Sequence, residues 1–135
     1  MNSLIALLFL VAAVTSTGCA MENIDRTDLV GRYVANYENA IDTLELREDG
    51  TYVHHYKSLT GDKEFTNTNT WEFEYKDEKP RIIFSEFISG LPEQYSGPSK
   101  NSGYWITEIR RSLISSSVKL PIFEDLDYYY TKEKL

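Results

Sequence analysis

The chain has 135 residues with one cysteine, and its 14 Lys and Arg against 21 Asp and Glu give a net charge of −7. This length allows one domain with a modest core and leaves no room for a second. The acidic balance excludes nucleic acid as a partner and disfavours anionic lipid as a ligand.

The N-terminal segment is apolar and uncharged. Residues 4–14 contain only apolar side chains, a run too short to cross a bilayer of about 30 Å as a helix but typical of a signal peptide. Small residues follow and end in Gly18 and Cys19, a pattern that resembles a bacterial lipobox. Cys19 is the only cysteine, so it has no intramolecular disulfide partner. The alternatives are an ordinary secretory signal cleaved near Cys19 and a buried N-terminal helix.

The lipobox resemblance implies cleavage before Cys19 and acylation of its thiol and of the new amine. Several acyl chains hold a protein stably to a membrane, and Ala20 permits sorting to the outer membrane. We therefore expect a lipoprotein of the bacterial cell envelope, with the outer membrane facing the periplasm favoured. The expected parts are a signal peptide at residues 1–18, a tether at 19–28 and a β domain at 29–135.

From Gly31 onward, the pattern predicts an all-β domain. Short runs rich in Tyr, Val, Ile, Thr, Phe and Trp alternate with turn-forming clusters, and no window shows helical spacing. The eight predicted strands lie at residues 31–37, 43–47, 51–57, 69–75, 81–87, 103–110, 115–120 and 126–131.

Two hairpins stand out among these strands. Asp49 and Gly50 lie between two alternating runs and favour a tight turn. In the second hairpin, Trp71, Phe73 and Tyr75 alternate with acidic residues and are predicted to face inward. Such short connections favour an antiparallel meander that closes into a small up-and-down barrel, with a half-barrel or sandwich as alternatives.

Two predicted connections are longer than the others, at residues 58–68 and 88–102. Long loops in compact domains often border binding sites. A solvent-exposed loop without a ligand is the alternative interpretation for each.

Histidines and aromatic residues supply the candidate site. His54 and His55 are adjacent on a predicted strand and point to opposite faces, so they do not share a metal ion. His54 is predicted either to line a cavity beside Tyr52 and Tyr56 or to be a packed or surface imidazole. The candidate ligand-binding residues are Tyr52, His54, Tyr56, Trp71 and Trp105.

The sequence carries no catalytic signature. It lacks GxSxG, a P-loop, GxGxxG and HExxH. Asp42, Glu45, Glu72 and Glu74 are spaced as on a solvated strand face. We therefore predict no enzyme activity, catalytic residue, cofactor or metal.

Several short motifs resemble lipocalin-like domains of small bacterial lipoproteins, a family of unknown function. The first half carries Gly31-Arg32-Tyr33, Leu44-Glu45-Leu46, Asp49-Gly50-Thr51-Tyr52 and Thr70-Trp71-Glu72, and the second half Gly103-Tyr104-Trp105, Val118-Lys119-Leu120 and Asp127-Tyr128-Tyr129-Tyr130. The motifs fix turns and core aromatics, so the resemblance implies a lipocalin-like barrel and no particular activity.

Two functions follow as expectations. The first is a lipid-tethered, non-enzymatic binding module for a small or apolar ligand. The alternative is an interaction protein, such as an inhibitor or immunity protein, that binds an envelope protein through its acidic surface and residues 88–102. A hydrolase is the least favoured interpretation.

Overall fold

The computed structural model describes residues 23–36, 38–88, 103–111 and 116–135. In these residues the chain is all-β, as predicted, with antiparallel strands in one sheet that curves into a barrel. The strands are β1 (Gly31–Ala35), β2 (Ala40–Leu46), β3 (Thr51–Ser58), β4 (Glu64–Lys76), β5 (Lys79–Phe84), β6 (Trp105–Glu108), β7 (Arg110–Arg111), β8 (Val118–Phe123) and β9 (Tyr128–Lys132). Gly18, Cys19 and the predicted signal peptide lie outside the described residues.

The sheet is a meander whose two ends meet. Each strand except β6 pairs with the next along the chain, and β1 pairs with β9. Only Ile109 separates β6, which pairs with β5, from β7, which pairs with β8. Residues 105–111 thus act as one bent strand that joins both edges, and the barrel has the eight strand positions that the sequence predicts.

The two ends of the barrel differ. The lower end holds the helix α1 (Arg26–Leu29), the β2–β3 turn and the β4–β5 turn. The upper end holds the β3–β4 turn and a 3₁₀ turn at Glu124–Leu126. In the described part of the chain, no helix is long and apolar enough to span a membrane.

Both predicted hairpins are confirmed. Gly50 has a φ of +86° in the β2–β3 turn, a backbone conformation that glycine adopts without strain. The β4–β5 turn is tighter than predicted, because Lys76 pairs with Lys79 and only Asp77 and Glu78 lie between them. Both have positive φ, as a two-residue hairpin turn with the right twist requires.

The predicted connection at residues 58–68 is wrong in its second half, since β4 begins at Glu64. Thr and Asn alternate in this stretch instead of apolar and polar residues, which hides the strand pattern. The side-chain amide of Asn67 donates to the backbone carbonyl of Glu86 at 2.9 Å. The side-chain amide of Asn69 donates to the Glu86 carboxylate at 3.0 Å.

The lower rim also differs from the prediction. Trp71 is buried and Phe73 partly buried, but Tyr75 is 47% exposed. Its hydroxyl bridges the backbone N–H and carbonyl of Ile24 at 2.9 and 3.0 Å. Ile24 is itself buried, so the packed part of the chain starts five residues before the predicted boundary at Leu29.

Side chains from alternate strand positions fill the barrel interior. Aromatic rings and aliphatic residues form one large cluster, with a smaller one near the upper end. Burial of this apolar surface is the main stabilising contribution to the fold. The largest fully buried side chains are Tyr33, Tyr52, Tyr56, Tyr130, Phe84, Leu29, Leu44, Leu46, Ile82, Leu120, His54 and Asp42.

Candidate functional site

A polar cluster lies inside the barrel. Asp42 on β2, His54 on β3 and Tyr130 on β9 are each at most 1% exposed. One carboxylate oxygen of Asp42 accepts hydrogen bonds from His54 Nε2 at 2.8 Å and from the Tyr130 hydroxyl at 2.7 Å. The strands bring together three groups that are distant in sequence.

The prediction that Asp42 belongs to a solvated strand face is wrong. Asp42 alternates with the buried residues Leu44 and Leu46 on β2, so its side chain points inward. A buried carboxylate is expensive unless hydrogen bonds compensate its lost hydration. His54 and Tyr130 supply these bonds, which makes the inward position stable.

One ring nitrogen of His54, Nδ1, does not take part in the hydrogen bonds of this cluster. Because Nε2 faces a carboxylate, it donates its proton to Asp42. Nδ1 is buried and has no hydrogen-bond partner among the described residues. In neutral histidine this nitrogen is therefore an acceptor available to a polar group that enters the barrel.

An aromatic slot lies beside this histidine. The ring of Phe87 stacks on His54, with centroids 4.6 Å apart and planes 10° apart, and lies 4.5 Å from the Trp105 ring. Phe84 and Tyr52 lie 5.5 and 6.0 Å from Phe87. Phe87 thus occupies a flat site between His54 and Trp105, which we call the Phe87 slot.

The turn that carries Phe87 is held by hydrogen bonds. The Tyr52 hydroxyl donates to the carbonyl of Ser85 at 2.7 Å, and Asn67 donates to Tyr52 at 3.1 Å. Burial raises the pKa of the Tyr52 hydroxyl from 10.0 to about 12. Glu86, just before Phe87, has a φ of +47°, a strained conformation for a residue with a Cβ.

The predicted ligand-binding residues separate into three places. Tyr52, His54 and Trp105 surround the Phe87 slot. Trp71 lies toward the lower end, where its indole N–H donates to the Arg47 carbonyl at 3.1 Å. Tyr56 lies in the smaller cluster, with its ring stacked on Phe65.

The cluster does not have the geometry of an activated nucleophile. In hydrolases an Asp–His pair takes a proton from a hydroxyl that is bonded to the free histidine nitrogen. Here the Tyr130 hydroxyl donates to Asp42 instead, and its 3.3 Å contact with His54 involves the nitrogen already used by Asp42. Among the described residues, no three His, Cys, Asp or Glu side chains are grouped to hold a metal ion.

Sequence reasoning missed Asp42, Phe87 and Tyr130. The alternation of Asp42 with Leu44 and Leu46 was a usable signal for the buried carboxylate. Nothing local marks Phe87, because its inward position depends on the Ser85–Glu86 bend. Comparison with models of protein families, with curated proteins and with solved structures found no match to this chain.

Proposed function

We propose that the protein is a non-enzymatic binding module that takes a small, planar, mainly apolar ligand in the Phe87 slot. The single observation that carries this proposal is the position of Phe87 between His54 and Trp105. An aromatic ligand in the same place gains the same stacking contacts. His54 Nδ1 supplies one polar contact that orients it.

Binding at this site requires Phe87 to leave the barrel. Removing a buried phenylalanine from a core costs about 3–5 kcal/mol. The open form, in which Phe87 lies outside the barrel, is therefore adopted by about one molecule in a few hundred to a few thousand. The apparent affinity falls by the same factor. We therefore expect weak binding by the wild-type chain and much tighter binding when Phe87 is shortened.

A fluorescence titration with N-phenyl-1-naphthylamine, an uncharged planar probe, tests this site. Phe87→Ala should bind the probe at least about tenfold more tightly than the wild type, and His54→Leu should reorient it. Phe73→Ala is the matched control, because Phe73 is a partly buried aromatic residue whose ring packs against Tyr75. The proposal fails if the wild type shows no saturable one-to-one binding, or if both alanine variants bind equally.

The alternative proposal is an interaction module for an envelope protein. Tyr104 and Ile106 support it, because they are 75% and 49% exposed near one another on the outside of the barrel, and exposed apolar groups on an acidic surface suit a protein partner. Pull-down from an envelope extract should recover one partner, lost in a Tyr104→Ser, Ile106→Ser double variant. Ile41→Ser removes an exposed apolar residue elsewhere and should leave recovery unchanged.

We also propose that the domain is held at the bacterial envelope by a lipid on Cys19. The support is the apolar segment at residues 4–14, which is followed by small residues and the thiol of Cys19. Cells labelled with radioactive palmitate should incorporate label into the wild type and into a Thr17→Ser control, and not into Cys19→Ser. If Cys19→Ser remains as firmly bound to outer-membrane fractions, the anchor proposal fails.

A further inference from the structure

A small polar pocket lies at the surface where β4 passes from pairing with β3 to pairing with β5. Its volume is about 200 Å³. A cavity of about 150 Å³ holds a benzene ring, so this one has room for a single ring with polar substituents. We call it the polar pocket. Its lining consists of Asn69 and Thr70 on β4, Ser85 and Glu86 after β5, and Gly103 and Tyr104 before β6.

Hydrogen bonds hold the polar groups of this pocket in place. The side-chain amide of Asn69 donates to one carboxylate oxygen of Glu86 at 3.0 Å, and the hydroxyl oxygens of Thr70 and Ser85 lie 3.0 Å apart. An amide has two N–H donors and a carboxylate about four acceptor sites, and the hydroxyl that accepts the bond between Thr70 and Ser85 keeps its own proton. Both pairs therefore retain donors and acceptors that a bound ligand can use.

Glu86 has a strained backbone conformation at this pocket. Its φ is +47°, and its side chain is exposed to solvent. Asp77 and Glu78 also have positive φ, but they form a two-residue hairpin turn that requires it. Residues 85–104 separate β5 from β6, so Glu86 is not part of such a turn. Glycine adopts this φ without strain, and strained residues cluster at ligand sites, which indicates that the Glu86 carboxylate has a role besides folding.

Most polar groups of the lining are neutral. Glu86 is the only charged residue among the described residues that line the pocket, so an anionic ligand would find no cation to pair with there. The other polar side-chain groups are one amide and three hydroxyls. Tyr104 is 75% exposed, so the face of its ring is open to contact. This combination suits an uncharged ligand with several hydroxyl groups.

We propose that the polar pocket binds the ring of a neutral saccharide. Each hydroxyl of a sugar is both a donor and an acceptor, so one donates to the Glu86 carboxylate while its neighbour accepts from the Asn69 amide. The face of the Tyr104 ring carries partial negative charge and attracts the C–H groups on the flat side of the sugar. The hydrogen bond between Asn69 and Glu86 fixes both groups before the ligand arrives, which reduces the cost of ordering them on binding.

Two-dimensional proton–nitrogen NMR of the full-length chain, in a polyoxyethylene detergent that carries no sugar, tests this site. The probes are the methyl glycosides of glucose, galactose and mannose. We expect at least one of them to shift the Asn69 side-chain amide and the Tyr104 backbone amide saturably, with a dissociation constant on the order of millimolar for a ligand of this size. Sorbitol, which has the hydroxyl groups without the ring, is the control and should not saturate these shifts.

Variants separate binding from folding. Glu86→Gln and Tyr104→Ala should each weaken glycoside binding by about five- to tenfold, through loss of the charged acceptor and of the ring contact. Glu86→Gly should weaken binding at least as much and yet melt at the same or a higher temperature than the wild type, because glycine relieves the strain at this φ. Ile106→Ser is the matched control, because Ile106 is an exposed residue two positions after Tyr104 that does not line the pocket.

The proposal is overturned if none of the glycosides saturates the shifts, if sorbitol does so equally, or if Glu86→Gln and Tyr104→Ala bind as tightly as the wild type. It is also overturned if tetramethylammonium saturates the shifts and the glycosides do not, which would identify a cation site at the Glu86 carboxylate and the Tyr104 ring. Equal weakening by Ile106→Ser would point to a broad surface effect and overturn it as well. Saccharide binding does not require Phe87 to leave the barrel, so this titration and the one with the planar apolar probe can fail separately.

Discussion

Three buried residues make part of the barrel interior polar. Asp42, His54 and Tyr130 put a carboxylate, an imidazole and a phenol where apolar side chains would normally lie. Each forms a hydrogen bond with another member of the set, so removing one takes a hydrogen bond from a buried polar group. The cluster should therefore tolerate substitution much less well than its polar character suggests.

Asp42→Ala tests this dependence. We expect the free energy of unfolding in urea to fall by about 3 kcal/mol or more, because His54 Nε2 and the Tyr130 hydroxyl lose their common acceptor. Glu45→Ala, at an exposed position on the same strand, should change it by less than about 0.5 kcal/mol. Equal effects of the two substitutions would contradict a structural role for the cluster.

Alkaline pH should destabilise the fold through buried tyrosines. The pKa of Tyr52 rises from 10.0 to about 12 in the folded chain, and burial also raises the pKa of Tyr33. Both folded-state pKa values exceed the unfolded values, so this contribution to stability is complete below pH 10 and is lost as pH rises through the folded-state pKa. Between pH 10 and about 12 each tyrosine lowers the free energy of unfolding by up to about 1.4 kcal/mol per pH unit.

Tyr52→Phe should reduce this pH slope by up to about 1.4 kcal/mol per pH unit, because the contribution of Tyr52 is removed. Urea unfolding of the variant and the wild type at pH 8, 10 and 11 measures the difference. At pH 8 the variant should be less stable by about 1–2 kcal/mol, since the Ser85 carbonyl loses its donor. An unchanged slope would show that Tyr52 ionises equally easily in both states.

At the scale of elements, β4 is the strand that differs most from expectation. Glu64–Lys76 is one long strand whose first half pairs with β3 and whose second half pairs with β5. The sequence predicted only the second half, where aromatic residues alternate with acidic ones. The first half has a polar alternation, and only the pairing partner reveals it as a strand.

Turns and aromatic strands were predictable because their signals are local. Asp49-Gly50 specifies a hairpin by its backbone preference, and the Tyr52–His54–Tyr56 alternation already gives the inward face of β3. The Phe87 slot and the Asp42 cluster depend on residues from different strands. These contacts between strands depend on the register and closure of the sheet. No short window of a single sequence encodes either of them.

Native-state hydrogen exchange tests the extended β4. Backbone amides at alternate positions in residues 64–70 should exchange slowly, because the only strand that pairs with this half among the described residues is β3. The amide of Asp62 in the preceding turn should exchange quickly. Uniformly fast exchange throughout residues 58–68 would show that this whole segment is a loop, as the sequence predicted.

For the whole molecule, stability depends on closure of the sheet. The seam lies in residues 105–111, where pairing passes from β5 to β8. Two hydrogen bonds support it: the Thr107 hydroxyl donates to the Pro121 carbonyl at 2.8 Å, and the Ile109 N–H donates to the Pro80 carbonyl at 2.9 Å. A nearly closed sheet leaves only short edges for other chains to pair with.

Thr107→Val should weaken the seam. The substitution keeps the shape of a buried side chain and leaves the Pro121 carbonyl without this donor, so we expect a loss of about 1–2 kcal/mol in the free energy of unfolding. Thr43→Val on β2 lies between β1 and β3, away from the seam, and should have a much smaller effect. Loss of less than 0.5 kcal/mol, about the size of a surface substitution, would show that the seam does not depend on this bond.

The pairing of β1 with β9 has a consequence for biosynthesis. Tyr33 lies opposite Lys132, about a hundred residues later in the chain. A ribosome must therefore release the chain as far as β9 before the first strand finds its second neighbour. Until then the nascent chain is an incomplete, open sheet with unpaired edges, a state that chaperones can bind.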